Sequence, residues 1–170
     1  IVSIVGRDFP KDYLEELADR NINMEGVEID NTGDTFYWKG RYHKDTNRRD
    51  TLVTDLNTLA NFNPIVPDAF KDAKVVLLGN LHPGTQESVI GQINPQNTTI
   101  ILDTMNFWIE RAWDELMHVV SKTNIITIND EEAFQMTGKS NILSAAKQIS
   151  EMGPSYVIIK KGEHGSLLYH

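Results

Sequence analysis

Asn129-Asp130-Glu131-Glu132 places one amide and three carboxylates in consecutive positions, directly behind the apolar run Ile125-Ile126-Thr127-Ile128. The run reads as a buried strand and the stretch from Asn129 to Gly138 as a helix, so the acidic cluster stands where a strand hands over to a helix. In an open parallel sheet that edge is where ligands bind. Carboxylates placed there can hold a hydrated cation or orient a substrate. The same residues also suit a helix start: Asn129 is a natural N-cap, and Glu132 at the third helical position resembles a capping box. This segment alone supports both readings.

Three further strand ends carry comparable chemistry. Leu78 is followed by Gly79-Asn80-Leu81-His82-Pro83-Gly84, Leu102 by Asp103-Thr104-Met105-Asn106-Phe107-Trp108, and Ile159 by Lys160-Lys161-Gly162-Glu163-His164-Gly165. In a parallel sheet all four segments share one edge. Together they supply amides, carboxylates, an ammonium and glycines, the inventory of a polyphosphate–magnesium site. Lysine balances phosphate charge, glycines let backbone N–H groups approach, and carboxylates hold magnesium, commonly through water. Taken singly, each has a plainer reading: Asp103 as a cap or turn residue, Gly162 and Gly165 as a tight turn, Lys160 and Lys161 as solvated charges, Asn80 as a loop residue. Their convergence on one edge favours the functional reading.

The elements that must position these residues follow from periodicity. Strands are expected over residues 1–5, 27–29, 74–78, 99–102, 125–128, 156–160 and 166–169. Helices are expected from Pro10 to about Arg20 and over 85–93, 109–120, 131–137 and 142–151. Strands alternating with helices imply βαβ units and a mostly parallel sheet. A different texture interrupts them. Residues 35–42 are aromatic and β-prone, with Phe36, Trp38 and Tyr42 on one face and Tyr37, Lys39 and Arg41 on the other. A polar stretch, 43–49, turns the chain and 50–55 returns as a strand, giving an antiparallel hairpin. The predicted class is a three-layer α/β/α fold with residues 1–30 and 61–170 as the core and 31–60 as a small β lid.

Composition excludes several functions. The 170 residues are 40% hydrophobic and 24% charged, with a formal charge of −8. That balance argues against a nucleic-acid surface and against an anionic membrane surface. The chain has no cysteine, so disulfides and thiolate metal sites are impossible, and a cytoplasmic location is expected. No apolar run approaches the roughly 18 residues that span a bilayer. Both ends fall inside strand-like runs and read as cut from a longer protein. Gly138-Lys139-Ser140 fails as a phosphate loop because Ala133 stands where the earlier glycine is required. No G-x-G-x-x-G opens a helix, no histidine pair has metal-ligand spacing, and no serine nucleophile elbow is present.

In their order, these segments resemble the ribokinase-like (PfkB) carbohydrate kinases. Asn129 to Gly138 resembles the family's N-x-x-E motif and trailing helix, and Ile158 to Ser166 its strand and glycine turn at the nucleotide site. Asp103 to Trp108 resembles its D-x-N-x-W segment, and Ile4-Val5-Gly6-Arg7-Asp8-Phe9 its early strand with G-x-D. The hairpin falls where that family places its lid. The resemblance implies ATP-dependent transfer of a γ-phosphoryl group to a hydroxymethyl oxygen of a sugar, with a nucleoside as the alternative acceptor. It implies that Asn129 and Glu132 organise magnesium through water, and that Lys160, Gly162 and Gly165 line the nucleotide site. It places Asp103 and Asn106 near the phosphates, and Phe36 and Tyr37 beside the substrate under a lid that excludes water.

Two family motifs are missing. The G-A-G-D turn, whose aspartate accepts the hydroxyl proton, is expected after His170, and the di-glycine motif that grips the sugar before Ile1. The stretch alone is therefore expected to be inactive as a kinase. A non-catalytic α/β ligand-binding protein is the competing class, and a dinucleotide-dependent dehydrogenase is disfavoured by the absent fingerprint. The apolar hairpin also suits pairing with a second copy into a homodimer.

Overall fold

Alternation of β-branched runs with amphipathic stretches yields nine strands and six helices over the described residues, 1–44 and 49–170 of a computed structural model. They form two compact units, Ile1–Pro67 and Asp68–His170.

In the first unit, β1 (Val2–Gly6) and β2 (Gly26–Asp30) pair in parallel, with Val2 opposite Gly26 and Gly6 opposite Asp30. The crossover between them is α1 (Lys11–Asp19), entered through Pro10, whose fixed φ suits the helix start. β3 (Tyr37–Tyr42) and β4 (Arg49–Asp55) form the expected antiparallel hairpin. The turn expected over 43–49 lies, at residues 45–48, outside the described residues. The register shifts between Lys39 and Gly40, so Leu52 is an extra residue on β4. Gly40 has a packing reason: a Cβ there would sit 2.1 Å from the Trp38 ring, which lies over it on the same face.

The second unit is a five-stranded sheet in the order β5 (Val75–Leu78), β6 (Thr99–Asp103), β7 (Ile125–Asn129), β8 (Tyr156–Lys160), β9 (Ser166–Tyr169). The first four strands are parallel and β9 is antiparallel. Leu78, Leu102, Ile126 and Val157 lie in one row across it, and Ile128 pairs with Ile159 one step nearer the site. All are buried, as are Leu116, Val119, Val120, Ala145, Ala146 and Ile149 from the helices that supply the rest of the core. Burial of each large side chain contributes about 1.5–3 kcal/mol. A mostly parallel sheet with packed helices, plus a small antiparallel sheet, is the α/β class the sequence predicts.

Two helix boundaries differ from expectation. α2 runs over Pro83–Ile90, starting earlier and ending earlier than 85–93. His82 caps it through Nδ1, which accepts the Gly84 N–H at 3.0 Å, and Pro83 takes the first turn. The single helix expected over 109–120 is two, α3 (Asn106–Arg111) and α4 (Trp113–Val120). Ala112, at φ −140° and ψ 43°, closes one and opens the other: its N–H donates to Trp108 O and its carbonyl accepts from Leu116 N–H. No proline or glycine marks this break, so the apolar spacing reads straight through it. The remaining helices, α5 (Asp130–Thr137) and α6 (Ile142–Ser150), match expectation to within a residue.

Candidate functional site

The C-terminal edge of the parallel sheet gathers the polar residues of four strand ends. β7 delivers Asn129, and α5 begins at the next residue. Both halves of the capping box form: Asn129 Oδ1 accepts the Glu132 N–H at 2.8 Å, and Glu132 Oε2 accepts the Asn129 N–H at 2.8 Å. Glu132 is only 4% exposed. A carboxylate buried at a helix N-terminus is held there by the backbone donors and by the positive end of the helix. Gly138, at φ +66°, ends the helix in the left-handed conformation that glycine adopts without steric cost.

β6 and β8 flank Asn129. Register places Asp103 opposite Thr127 and Asn129 opposite Lys160. The Lys160 Nζ reaches across β7 to the Asp103 Oδ1 at 3.2 Å, with the two side chains 51% and 31% exposed. An ion pair this open to water contributes less than about 1 kcal/mol, so either partner can be drawn away by a stronger ligand.

Beyond β8, Gly162–His164 makes a short 3-10 turn closed by a hydrogen bond from Lys161 N–H to Gly165 O. Gly162 and Gly165 both carry positive φ, +55° and +79°. Its two chain neighbours aside, no atom of the described residues lies within 4 Å of the position a Gly165 Cβ would take, so the backbone there faces open space. β5 delivers Asn80, whose Oδ1 accepts from the Trp108 indole at 3.0 Å, tying that loop to α3. Asn106 Nδ2 donates to Gln135 Oε1 at 2.6 Å, tying α3 to α5. Asp103, Asn106, Asn129, Glu132, Lys160, Gly162 and Gly165 thus all lie in the second unit, on or just beyond the strand ends that carry them. Phe36 and Tyr37, 41% and 50% exposed, lie at the entry to the hairpin of the first unit.

Three contributors escape sequence reasoning. Gln86 is 2% exposed, and its Nε2 donates to the carbonyls of both Gly79 and Asp103, at 2.7 and 3.1 Å. One amide thereby splints the ends of β5 and β6. Its signal was visible: a glutamine at helical spacing with the buried Pro83 and Ile90. Gln135 had a weaker signal, lying one turn after Glu132.

The third contributor, in the first unit, is Thr35. Asp8 Oδ1 accepts from both its N–H and its hydroxyl at 2.7 Å, and the Thr35 Oγ1 accepts the Gly6 N–H at 2.9 Å. A Cβ on Gly6 would lie 2.3 Å from the Thr35 backbone nitrogen, so glycine is required for this close approach. The two donors of Thr35 hold the Asp8 carboxyl below its ordinary value. The G-x-D segment is therefore a clasp on the chain leading into the hairpin. The partners are 27 residues apart, which leaves no local signal.

Comparison with known proteins agrees with this architecture. The model of the pfkB family carbohydrate kinases matches residues 1–170. A cytidine kinase from Thermococcus kodakarensis is 28% identical over 171 residues, covering 99% of this chain and 60% of that protein. The crystal structure of a putative ribokinase II from E. coli in complex with ATP and magnesium superimposes with a TM-score of 0.75 at 18% identity, covering 99% of this chain and 58% of that one. That of a Burkholderia thailandensis nucleoside kinase in complex with inosine does so with a TM-score of 0.70 at 18% identity, covering 99% and 55%. The chain thus spans rather more than half the length of the relatives it matches.

Proposed function

The chain belongs to the pfkB family of carbohydrate kinases, and on that premise we propose that the whole protein transfers the γ-phosphoryl group of ATP to a hydroxymethyl oxygen of a sugar. The observation that carries this reading is the Asp103–Lys160 pair held over the end of β7 beside the Asn129–Glu132 cap. It sets a displaceable ammonium and two carboxylates on one sheet edge.

The donor set fits a magnesium nucleotide. Among the described residues no group of three or more His, Cys, Asp or Glu side chains gathers into a cage. Magnesium keeps several waters and takes only one or two carboxylates along with phosphate oxygens. Glu132 and Asn129 would hold it through water, with Asp103 and Asn106 alongside. Bound there, the ion would neutralise phosphate charge, the main requirement of phosphoryl transfer. Lys160 would exchange its weak bond to Asp103 for a phosphate oxygen. The open backbone at Gly165 and the turn at Gly162 would let main-chain N–H groups approach the nucleotide. Phe36 and Tyr37 would meet the acceptor, with the hairpin as a lid that excludes water. The proton of the attacking hydroxyl would go to an aspartate beyond His170, so the 170 residues alone would not turn over. We also place the protein in the cytoplasm, in keeping with a chain free of cysteine; no helix of the described residues is long and apolar enough to cross a membrane.

A nucleoside acceptor is the second reading, favoured by the 28% identity to a cytidine kinase. The test is ADP release by the full-length protein with ATP, magnesium and a panel of pentoses, hexoses and nucleosides. Acceptor-dependent ADP identifies the substrate class. Nucleotide binding with no turnover on any acceptor would overturn the kinase reading in favour of a binding protein.

A further inference from the structure

The amide of Asn106 has two faces with opposite chemistry, and a relay of side chains decides which one it presents. Gln135 Nε2 donates to Glu110 Oε1 at 3.1 Å, and Gln135 Oε1 accepts from Asn106 Nδ2 at 2.6 Å. The polarity of this chain follows from its far end. A carboxylate has no proton to give, so Glu110 requires the NH₂ end of Gln135. That turns the Gln135 oxygen toward Asn106, and Asn106 must answer with its own NH₂. Reversing either amide would set two acceptors or two donors against each other. Asn106 Nδ2 spends one of its two N–H donors on Gln135, and the Asn106 Oδ1, with no hydrogen bond among the described residues, is the acceptor left to present outward.

We propose that Gln135 is a positioning residue which, anchored by Glu110, holds the Asn106 nitrogen on itself and so fixes the Asn106 oxygen as an acceptor for O–H donors. The inference rests on the kinase reading above and assigns the chemical class that Asn106 recognises: a metal-bound water or a substrate hydroxyl. It also explains why an exposed glutamine one turn after Glu132 contributes. Through it, the helix that carries Glu132 sets the first side chain of α3.

The test uses the full-length protein. Gln135→Lys keeps an attraction to Glu110 but presents an ammonium to Asn106, which must then turn its oxygen inward. The double variant Gln135→Glu with Glu110→Gln reverses the two partners yet still offers Asn106 an acceptor. Calorimetric titration with magnesium–ATP and, separately, with cytidine and ribose reads the ligand side. Side-chain amide resonances of Asn106 read its orientation without any ligand.

Gln135→Lys is expected to weaken one titration roughly five- to tenfold, the size of one lost hydrogen bond, with unchanged melting temperature. The double variant is expected to recover to within about twofold. Loss in the magnesium–ATP arm identifies metal-bound water as the donor, and loss in the cytidine or ribose arm a substrate hydroxyl. Unchanged affinity in all arms, or an Asn106 amide signal that Gln135→Lys does not move, overturns the positioning role while leaving the kinase reading intact. A wild-type protein that binds none of these ligands overturns both.

Discussion

Asp103 and Lys160 come from strands that do not touch, yet their charged atoms meet at 3.2 Å over the end of the strand between them. The bond is exposed and weak, in keeping with the proposed exchange of Asp103 for a phosphate oxygen. Lys160→Gln is expected to leave the melting temperature within about 2 °C, since the pair contributes less than about 1 kcal/mol. Turnover by the full-length protein is expected to fall about a hundredfold, the scale of losing one preorganised charge partner. Parallel melting curves and initial rates check both halves. A rate loss matched by a large stability loss would mark Lys160 as structural.

The capping role of the Asn129–Glu132 box and its proposed role at magnesium can be separated by substitution. Asn129→Ala removes a cap and is expected to cost about 1 kcal/mol. Asn129→Asp keeps the capping oxygen and should retain most of that stability. Glu132→Gln keeps an acceptor for the Asn129 N–H while removing the charge, so the fold should survive and turnover should drop sharply. Rates measured across a magnesium series decide it: an unchanged magnesium dependence in Glu132→Gln would restrict the box to capping.

Gln86, itself buried, donates to the carbonyls of Gly79 and Asp103 from one nitrogen. Gln86→Leu removes both bonds and is expected to destabilise the protein by about 1–3 kcal/mol, the net contribution of two hydrogen bonds. Gln86→Glu should be worse, since it sets a carboxylate against two carbonyl oxygens. Urea unfolding of the three proteins measures the order.

The Asp8–Thr35 clasp has an acid limit. The folded carboxyl titrates below its unfolded value, held down by the two donors of Thr35. Its stabilisation is therefore complete above the unfolded value of about pH 4 and is lost as pH falls through the lower folded one. Asp8→Asn should flatten that acid limb of the stability curve. Thermal melts from about pH 2 to 6 on both proteins test it, and superimposable acid limbs would dismiss the clasp.

Much of this was written locally. The β-branched runs, the apolar face of each helix, and the polar residues waiting at Leu78, Leu102, Ile128 and Ile159 follow from periodicity, because strand and helix have fixed repeats and the interior must be apolar. The Asn129–Glu132 box was legible for the same reason: a helix start is a local problem solved within four residues. The break at Ala112 was not legible, since no residue there forbids a helix and only its place between Trp108 and Leu116 sets its backbone. Nor were Gln86 on two strand ends, Thr35 in the grip of Asp8, and the relay from Glu110 to Asn106. Each joins residues that one-dimensional spacing leaves apart, and a hydrogen bond is chosen by the partners within about 3 Å in space, whatever their separation along the chain. The chain thus determined by itself which residues reach the edge of the sheet, while tertiary packing decided which way they point.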